Sequence, residues 1–448
     1  MSSVRFATAR FSRAFSFCSS FSWRAWSTFI PPYSLRHRSY VCSLIPRSRM
    51  ISATVLPLAC ATSASRSAVM ICSGVCRLLP ISASLSCAAS CRILTSALAS
   101  VQGGTYKHFE LIVVDDGSDD DTPYLCRRLE REGRITRFVR NEPRGGKASA
   151  ANTALLYARG TYIVHLDADS NLRHDALERV ILPFFMDENV GAVGGDIRVE
   201  NVRGGLIARC QALEYFKSIS VGRTASAMLG ILRIVSGAFG AFPRDLLQRL
   251  GGWDVGPGLD GDLTVKIRKL GYQVIHAPEA VCYTNVPSSV RALARQRYRW
   301  DRSMVRFRLR KHRDIFDRKS ANFRWSNFWS GAENVLFSMG LNAKWWVYFV
   351  QMLILHPTSV KYLFVINFMI YALTNLWQYA VSVLALKETL RRSDVALLPI
   401  VPLMPLYTGL YLRVIRTFAH LMEIFHRASY RDQWNPWKVS RVAESESL

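Results

Sequence analysis

The sequence predicts an α/β domain built on a mostly parallel sheet, followed by membrane-spanning helices and preceded by a segment that belongs to neither. Three observations predict it. From about residue 96, apolar strand runs alternate with helical stretches of about a dozen residues, and the strand runs end in carboxylates. Leu363 to Leu386 is a run of 24 residues without a charge, longer than a soluble core helix needs. No Asp or Glu occurs before Glu110, so the first quarter follows different rules from the rest.

That opening segment is taken first. The chain has 448 residues and a formal charge of +25, with half its residues apolar, which excludes a disordered polyelectrolyte. The first 109 residues carry eleven Arg, one Lys, 23 Ser and seven of the ten Cys, and so supply +12 of the +25. Organellar targeting segments are Arg- and Ser-rich and poor in acids, but no sustained helical period is present here. Seven Cys is an odd number whose spacings match no usual metal pattern; Cys72-x3-Cys76 and Cys87-x3-Cys91 suggest zinc, but biased composition is the favoured reading. Residues 1–95 are therefore expected to be a disordered or aberrant stretch, such as an unselected reading frame, and not a folded domain. No membrane helix is expected before residue 100.

Residues 96–320 form the second unit. Phe109-Glu-Leu-Ile-Val-Val-Asp115-Asp116 reads as a buried strand delivering two carboxylates to its end, with Asp119 and Asp121 near the start of a helix. A strand at Ile135–Arg140 and a helix from Lys147 follow. The strand Thr161–Leu166 then delivers Asp167-Ala168-Asp169 to its C-terminal end, where ligands of such sheets bind. Two carboxylates on alternate residues suit a hard divalent cation, Mg2+ or Mn2+, together with a diphosphate. A D-x-D pair alone is a weak signal, because chance pairs in solvated turns are common.

The blocks "VVDDGSDDD", "GGKASAANTALLYARGTYIVHLDADS", "GPGLDGDLTVKIRKLGY" and "QRYRW", in that order, resemble the family 2 glycosyltransferases. The resemblance is to their membrane-embedded processive β-polysaccharide synthases, which make cellulose, chitin, hyaluronan and poly-N-acetylglucosamine. It covers about residues 96–320 and implies a GT-A fold and an inverting, metal-dependent transfer from a UDP-sugar to a growing β-linked glycan. It places Asp115, Asp116 and Lys147 on the nucleotide and its phosphates, and Asp167 with Asp169 on the metal and diphosphate. Asp260 falls at the general base, although Leu259 stands where the family has an acid, and Asp262 is a second candidate. Gln296, Arg299 and Trp300 share one helical face at i, i+3 and i+4, so that Arg299 could pair with the diphosphate of the nucleotide sugar and Trp300 carry a sugar ring. Ser236 and Gly237 lie in an acceptor-pocket segment, and Trp253 is a candidate to stack on the acceptor or to fill the core.

The family also begins its fold with a strand and an Ile-Pro-x-Tyr-Asn-Glu-like turn, expected here at about residues 75–90. "CRLLPISASLSCAASC" stands there without the Asn or the acid, which opens the alternative of an inactive relic lacking its first nucleotide-binding strand. A single-addition transferase on a lipid-linked acceptor is the other alternative.

Residues 321–448 form the membrane unit. Besides the uncharged run, Val395–Leu412 is a second candidate span kinked by Pro399, Pro402 and Pro405, and Val335–Leu355, interrupted by Lys344, is a third or an interfacial helix. Before them, residues 291–319 hold twelve Arg or Lys among 29, interleaved with Trp, Tyr, Phe and Leu. Beside spans, that reads as an interfacial helix on anionic lipid and not as a nucleic-acid stripe. The chain is thus expected as a multi-pass plasma- or inner-membrane protein with a cytoplasmic catalytic domain. Accessory secretion proteins are implied partners, and nucleic acid is not. The Arg- and Lys-rich tail favours two spans, with the loop bearing Lys387, Arg391 and Arg392 on the far side.

Overall fold

The computed structural model describes residues 68–73, 83–118, 120–142, 145–254, 258–387 and 389–431, with the backbone alone for 68–73, 83–91 and 430–431. Asp119, Cys76 and the tail residues Arg441 and Lys438 lie outside it. The described residues cluster as one compact unit, apart from 383–387 at the end of the helix Val360–Ala385.

Eight strands form one sheet among the described residues: β1 Ala68–Ser73, β2 Phe109–Asp115, β3 Arg137–Arg140, β4 Tyr162–Asp167, β5 Ser170–Leu172, β6 Val190–Val199, β7 Phe239–Pro243 and β8 Gln273–Thr284. Their order is β3-β2-β1-β4-β7-β6-β8-β5. The pairs β1–β2, β1–β4, β2–β3 and β6–β8 are parallel, while β7 runs antiparallel to both β4 and β6. The predicted α/β class holds, with β7 inserted as an antiparallel strand. β2 and β4 are buried along nearly their whole length, as central strands covered on both faces require.

The first strand is a correction. It was expected at about residues 75–90 and thought missing, yet Ala68–Ser73 fills the sheet centre, pairing Ala68 with Phe109 and Tyr162 and Ser73 with Val114 and Asp167. A central parallel strand needs only a short uncharged run, and Ala-Val-Met-Ile-Cys-Ser is one; the acid-free surroundings masked it. The folded part likewise begins before residue 96, since the helix Ala83–Gln102 crosses that boundary. Its Leu94, Ala97, Leu98 and Val101 recur at helical spacing and are buried to 1% exposure or less.

The chain is helical without a break from residue 325 to 355, a π-turn at Leu336–Gly340 included, and again over Val360–Ala385. At 1.5 Å per residue the first run is about 45 Å long, enough to cross a bilayer despite Lys344. Among the described residues, two helices are long and apolar enough to cross by composition, Val360–Ala385 and Leu398–His426. They differ in surroundings: 6% of the first's apolar window is buried against protein, but 33% of the second's. Pro402 and Pro405 lack the N–H that a regular helix uses, and the backbone there takes 3-10 form (Leu398–Leu403), then π form (Pro405–Tyr411), before the helix Leu412–His426.

The loop between these helices, expected apart from the sheet, packs against it. Arg198 of β6 donates to Thr389 O (2.6 Å) and Thr389 Oγ1 (2.9 Å), and pairs with Asp394 at 3.2 Å. The other end of the helical pair is also on the catalytic domain, where Arg268 donates to Asn327 Oδ1 (2.9 Å) and Ser326 O (2.8 Å). A chain that leaves the domain at residue 325 and is back at 389 crosses any membrane an even number of times between them.

Candidate active site

The carboxylates that end β2 are held by their own chain. Asp115 Oδ1 accepts the Ser118 N–H at 3.1 Å, and Oδ2 faces Arg140 Nε at 3.5 Å across the β2–β3 register. Asp116 accepts the backbone N–H groups of Gly145 (3.0 Å) and Gly146 (2.6 Å) and the Asn141 side-chain amide (3.2 Å). Its charge thereby holds the start of the helix Gly146–Tyr157, and Gly146 has the positive φ (81°) that this turn demands. Of the acids near the next helix, Asp120 and not Asp121 accepts the first N–H, that of Thr122.

That turn aims Lys147. Its ammonium lies 2.6 Å from Asp167 Oδ1 and donates to Gly237 O at 3.0 Å, so one side chain joins the end of β4 to the segment before β7. Asp169 lies two residues beyond Asp167; burial first, then the Asp167 charge, push its carboxyl up to about 6. Both effects favour neutralisation by a cation. Among the described residues no group of three or more His, Cys, Asp or Glu is clustered as a complete metal site. The pair still fits a hard divalent ion that takes its other ligands from diphosphate oxygens and water, as Mg2+ commonly does.

Asp260 stands in the first turn of the helix Leu259–Lys269, entered through Gly258 at φ 86°. Its carboxylate lies against Gly237, where an added Cβ would fall 2.2 Å from Oδ1. Oδ1 is shut off from solvent and has no hydrogen-bond partner. Burial raises the Asp260 carboxyl above its ordinary range; Lys147 opposes the rise and Asp167 adds to it. Asp262 is a different case. It accepts from Lys311 (2.8 Å) and His312 Nε2 (2.7 Å), and although burial would raise it, these partners hold it well below the usual range. It is committed to binding the helix to the segment 304–316. Of the two acids, Asp262 is thus taken up by His312 and Lys311, while Asp260 Oδ1 has no hydrogen-bond partner.

Gly237, next to Ser236, touches both Lys147 through its carbonyl and Asp260 through its Cα side. Trp253 is 2% exposed and part of the core, its ring edge-on to Phe242 (5.9 Å) and tilted to His165 (5.5 Å), with its backbone held by Asn152. No sugar can stack on it. Trp253→Ala is therefore expected to cost about 3–5 kcal/mol of stability, read as a fall in the thermal unfolding midpoint in detergent, with the acceptor KM of the surviving folded protein unchanged.

Gln296, Arg299 and Trp300 share the helix Val290–Ser303. Trp300 is 45% exposed, and Ser303 Oγ donates to its carbonyl at 2.6 Å. Ser303 in turn meets Gly258, where a Cβ would come within 2.5 Å of it, so this helix ends against the turn that carries Asp260. Gln296 Oε1 is buried without a hydrogen-bond partner.

Two functional-looking groups were invisible in the motifs. Arg297, at an unspecified position of "QRYRW", makes a bidentate pair with Glu214 (2.9 and 2.8 Å) and lies 4.7 Å from the Trp300 ring. Arg223, in no motif, is brought by burial down to about 10 in the fields of Asp196, Tyr215 and Asp260. The i, i+3 spacing of Arg297 and Trp300 was the one available signal.

Comparison with known proteins fits this geometry. The family described as Glycosyl transferase family 2 matches residues 90–251. A poly-beta-1,6-N-acetyl-D-glucosamine synthase of Staphylococcus epidermidis is 30% identical over 222 residues, 49% of this chain and 53% of that protein. The corresponding synthase of Staphylococcus aureus is 29% identical over 218 residues, 48% and 52% of the two chains. The chain thus matches about half the length of these curated relatives. Among solved structures, the mannosyltransferase PcManGT from Pyrobaculum calidifontis, in complex with GDP-Man and Mn2+, superposes with a TM-score of 0.50 at 23% identity, covering 81% of this chain and 87% of that one. That likeness establishes a GT-A-like glycosyltransferase fold.

Proposed function

From the match of residues 90–251 to the model described as Glycosyl transferase family 2, we propose that the chain moves a sugar from a UDP-sugar onto the end of a growing β-linked polysaccharide at the membrane. The observation that carries this reading is the Asp260 carboxylate, whose Oδ1 has no hydrogen-bond partner, seated on Gly237 beside the Lys147–Asp167 pair. Such a group, with its affinity for protons raised, can take the proton of an acceptor hydroxyl as that oxygen attacks the anomeric carbon. The new glycosidic bond forms as the bond from that carbon to the diphosphate breaks, in one inverting displacement. Lys147, moved from Asp167 onto the phosphates, would counter charge on the departing nucleotide, and Asp115, whose Oδ2 faces Arg140 at 3.5 Å, would meet the nucleoside. A Mg2+ or Mn2+ ion held by Asp167 and Asp169 would neutralise the rest of that charge. Gln296 and Arg299 would meet the diphosphate, and the exposed half of Trp300 would carry a sugar unit.

The runs 325–355 and Val360–Ala385 fit an out-and-back pair of spans, with the catalytic domain and the loop at 389–394 on the cytoplasmic side. The charges agree, since Arg391 and Arg392 then lie inside. β1 supplies a central strand, one of the two features that the relic alternative supposes missing.

Membranes containing the full chain, given radiolabelled UDP-N-acetylglucosamine or UDP-glucose with Mn2+, should build label into material of high molecular mass. Short, lipid-soluble product alone would overturn the polysaccharide reading in favour of single addition; no product with either donor would overturn the donor class. Chelation by EDTA is expected to reduce incorporation at least about a hundredfold, with recovery on adding Mn2+ or Mg2+. Incorporation unaffected by EDTA would exclude a metal at Asp167 and Asp169.

A further inference from the structure

Glu214 is the meeting point of three elements distant in sequence. It ends the helix Leu206–Tyr215, receives both terminal nitrogens of Arg297 from the helix Val290–Ser303, and accepts the Tyr407 hydroxyl at 2.9 Å from the segment Pro405–Tyr411. Arg297 is 9% exposed and Tyr407 6%. The same helix is tied to the apolar C-terminal segment at its two ends as well. Tyr411 donates to Val290 O at 2.6 Å, and Arg416 pairs with Asp301 at 3.2 Å. Arg297 also covers one face of the Trp300 ring, leaving the other side of that half-exposed indole to a ligand.

An ion pair this buried is poor evidence of stability, because removing two charges from water offsets most of their attraction; fixing a register is its best-attested use. A bidentate guanidinium has a fixed plane, so anchoring both its terminal nitrogens on Glu214 also orients the face it presents to Trp300. We infer that Arg297 is a positioning residue: through Glu214 and Tyr407 it sets the Trp300 platform and couples it to the apolar segment Leu398–His426. The inference rests on the reading of Trp300 as a glycan platform. Movement of that segment as the glycan advances would then be felt at Trp300, while the nucleotide end of the site, on β2 and β4, would not feel it.

The test uses the full chain in detergent, with Tyr407→Phe, which removes one hydroxyl, and Arg297→Lys, which keeps the charge but not the fork. The expected result is an acceptor KM raised about three- to tenfold, with the nucleotide-sugar KM changed by less than about twofold. The two effects should be non-additive in the double variant, since both act through Glu214. Amide hydrogen exchange should rise within Val290–Ser303 in both variants, a readout that needs no activity. Unchanged exchange in that helix, or additive effects, or a donor KM that moves with the acceptor KM, overturns the inference. A wild-type chain that transfers no sugar overturns the proposed reaction instead, and hydrogen exchange alone then decides whether the node positions this helix.

Discussion

Asp260→Asn is expected to lower sugar transfer by about 10²–10⁴-fold while leaving nucleotide binding intact. The amide keeps the carboxylate's shape but cannot accept the acceptor's proton. Transfer of label and binding of UDP, measured on the same membranes, check the two halves of this statement, and retained transfer would refute the assignment. The pH dependence follows from the raised carboxyl of Asp260. Only the ionised form is a base, so transfer should fall as pH drops through a value above the ordinary carboxylate range, and this limb should vanish in Asp260→Asn. The stability contribution has the opposite sign. The native state binds this proton more tightly than the unfolded chain, so between the ordinary and the raised value stability is lost as pH rises. The site accepts that cost to keep a base away from water. Asp262→Asn is the contrast: its partners are His312 and Lys311, and its loss should appear as instability against denaturant with the pH limb of transfer kept.

Gly237→Ala is expected to lower kcat by about 10²-fold with little loss of fold. The new methyl carbon would lie 2.2 Å from Asp260 Oδ1 and 2.5 Å from Oδ2, so the carboxylate or the Gly237 backbone must move. If the backbone moves, it takes with it the carbonyl that anchors Lys147. The base and the phosphate cation are both displaced by one methyl group. The nucleotide should still bind, because β2 and the start of the helix Gly146–Tyr157 are untouched. A Gly237→Ala protein with wild-type kcat would show that Asp260 is not held against this glycine during transfer.

Much of the site was legible because its chemistry is written in contiguous blocks. A carboxylate pair at a strand end needs only its neighbours to declare a role. Asp167 and Asp169 are read that way, Lys147 and Asp260 through the family resemblance, and the structure brings Lys147 onto Asp167 and Asp260 onto Gly237. Trp253 and Asp262 show the limit. Each looked chemical in its motif, yet whether an indole faces a sugar or Phe242, and whether a carboxylate is spare or bound to His312, depends on residues far away in the chain.

By itself, then, the sequence determined the α/β class, the family-like order of acidic blocks and the apolar helices, because those follow from local period, turn chemistry and short-range spacing. Only the tertiary structure decided the rest. It placed Ala68–Ser73 as the central strand, since a six-residue apolar run becomes a strand only when β2 and β4 pair with it. It brought the loop at 389–394 back to the catalytic sheet through an Arg198–Asp394 pair spanning 196 residues of sequence. And it separated Asp260 from Asp262, two acids in one helical turn, by burial and partners that no local pattern records.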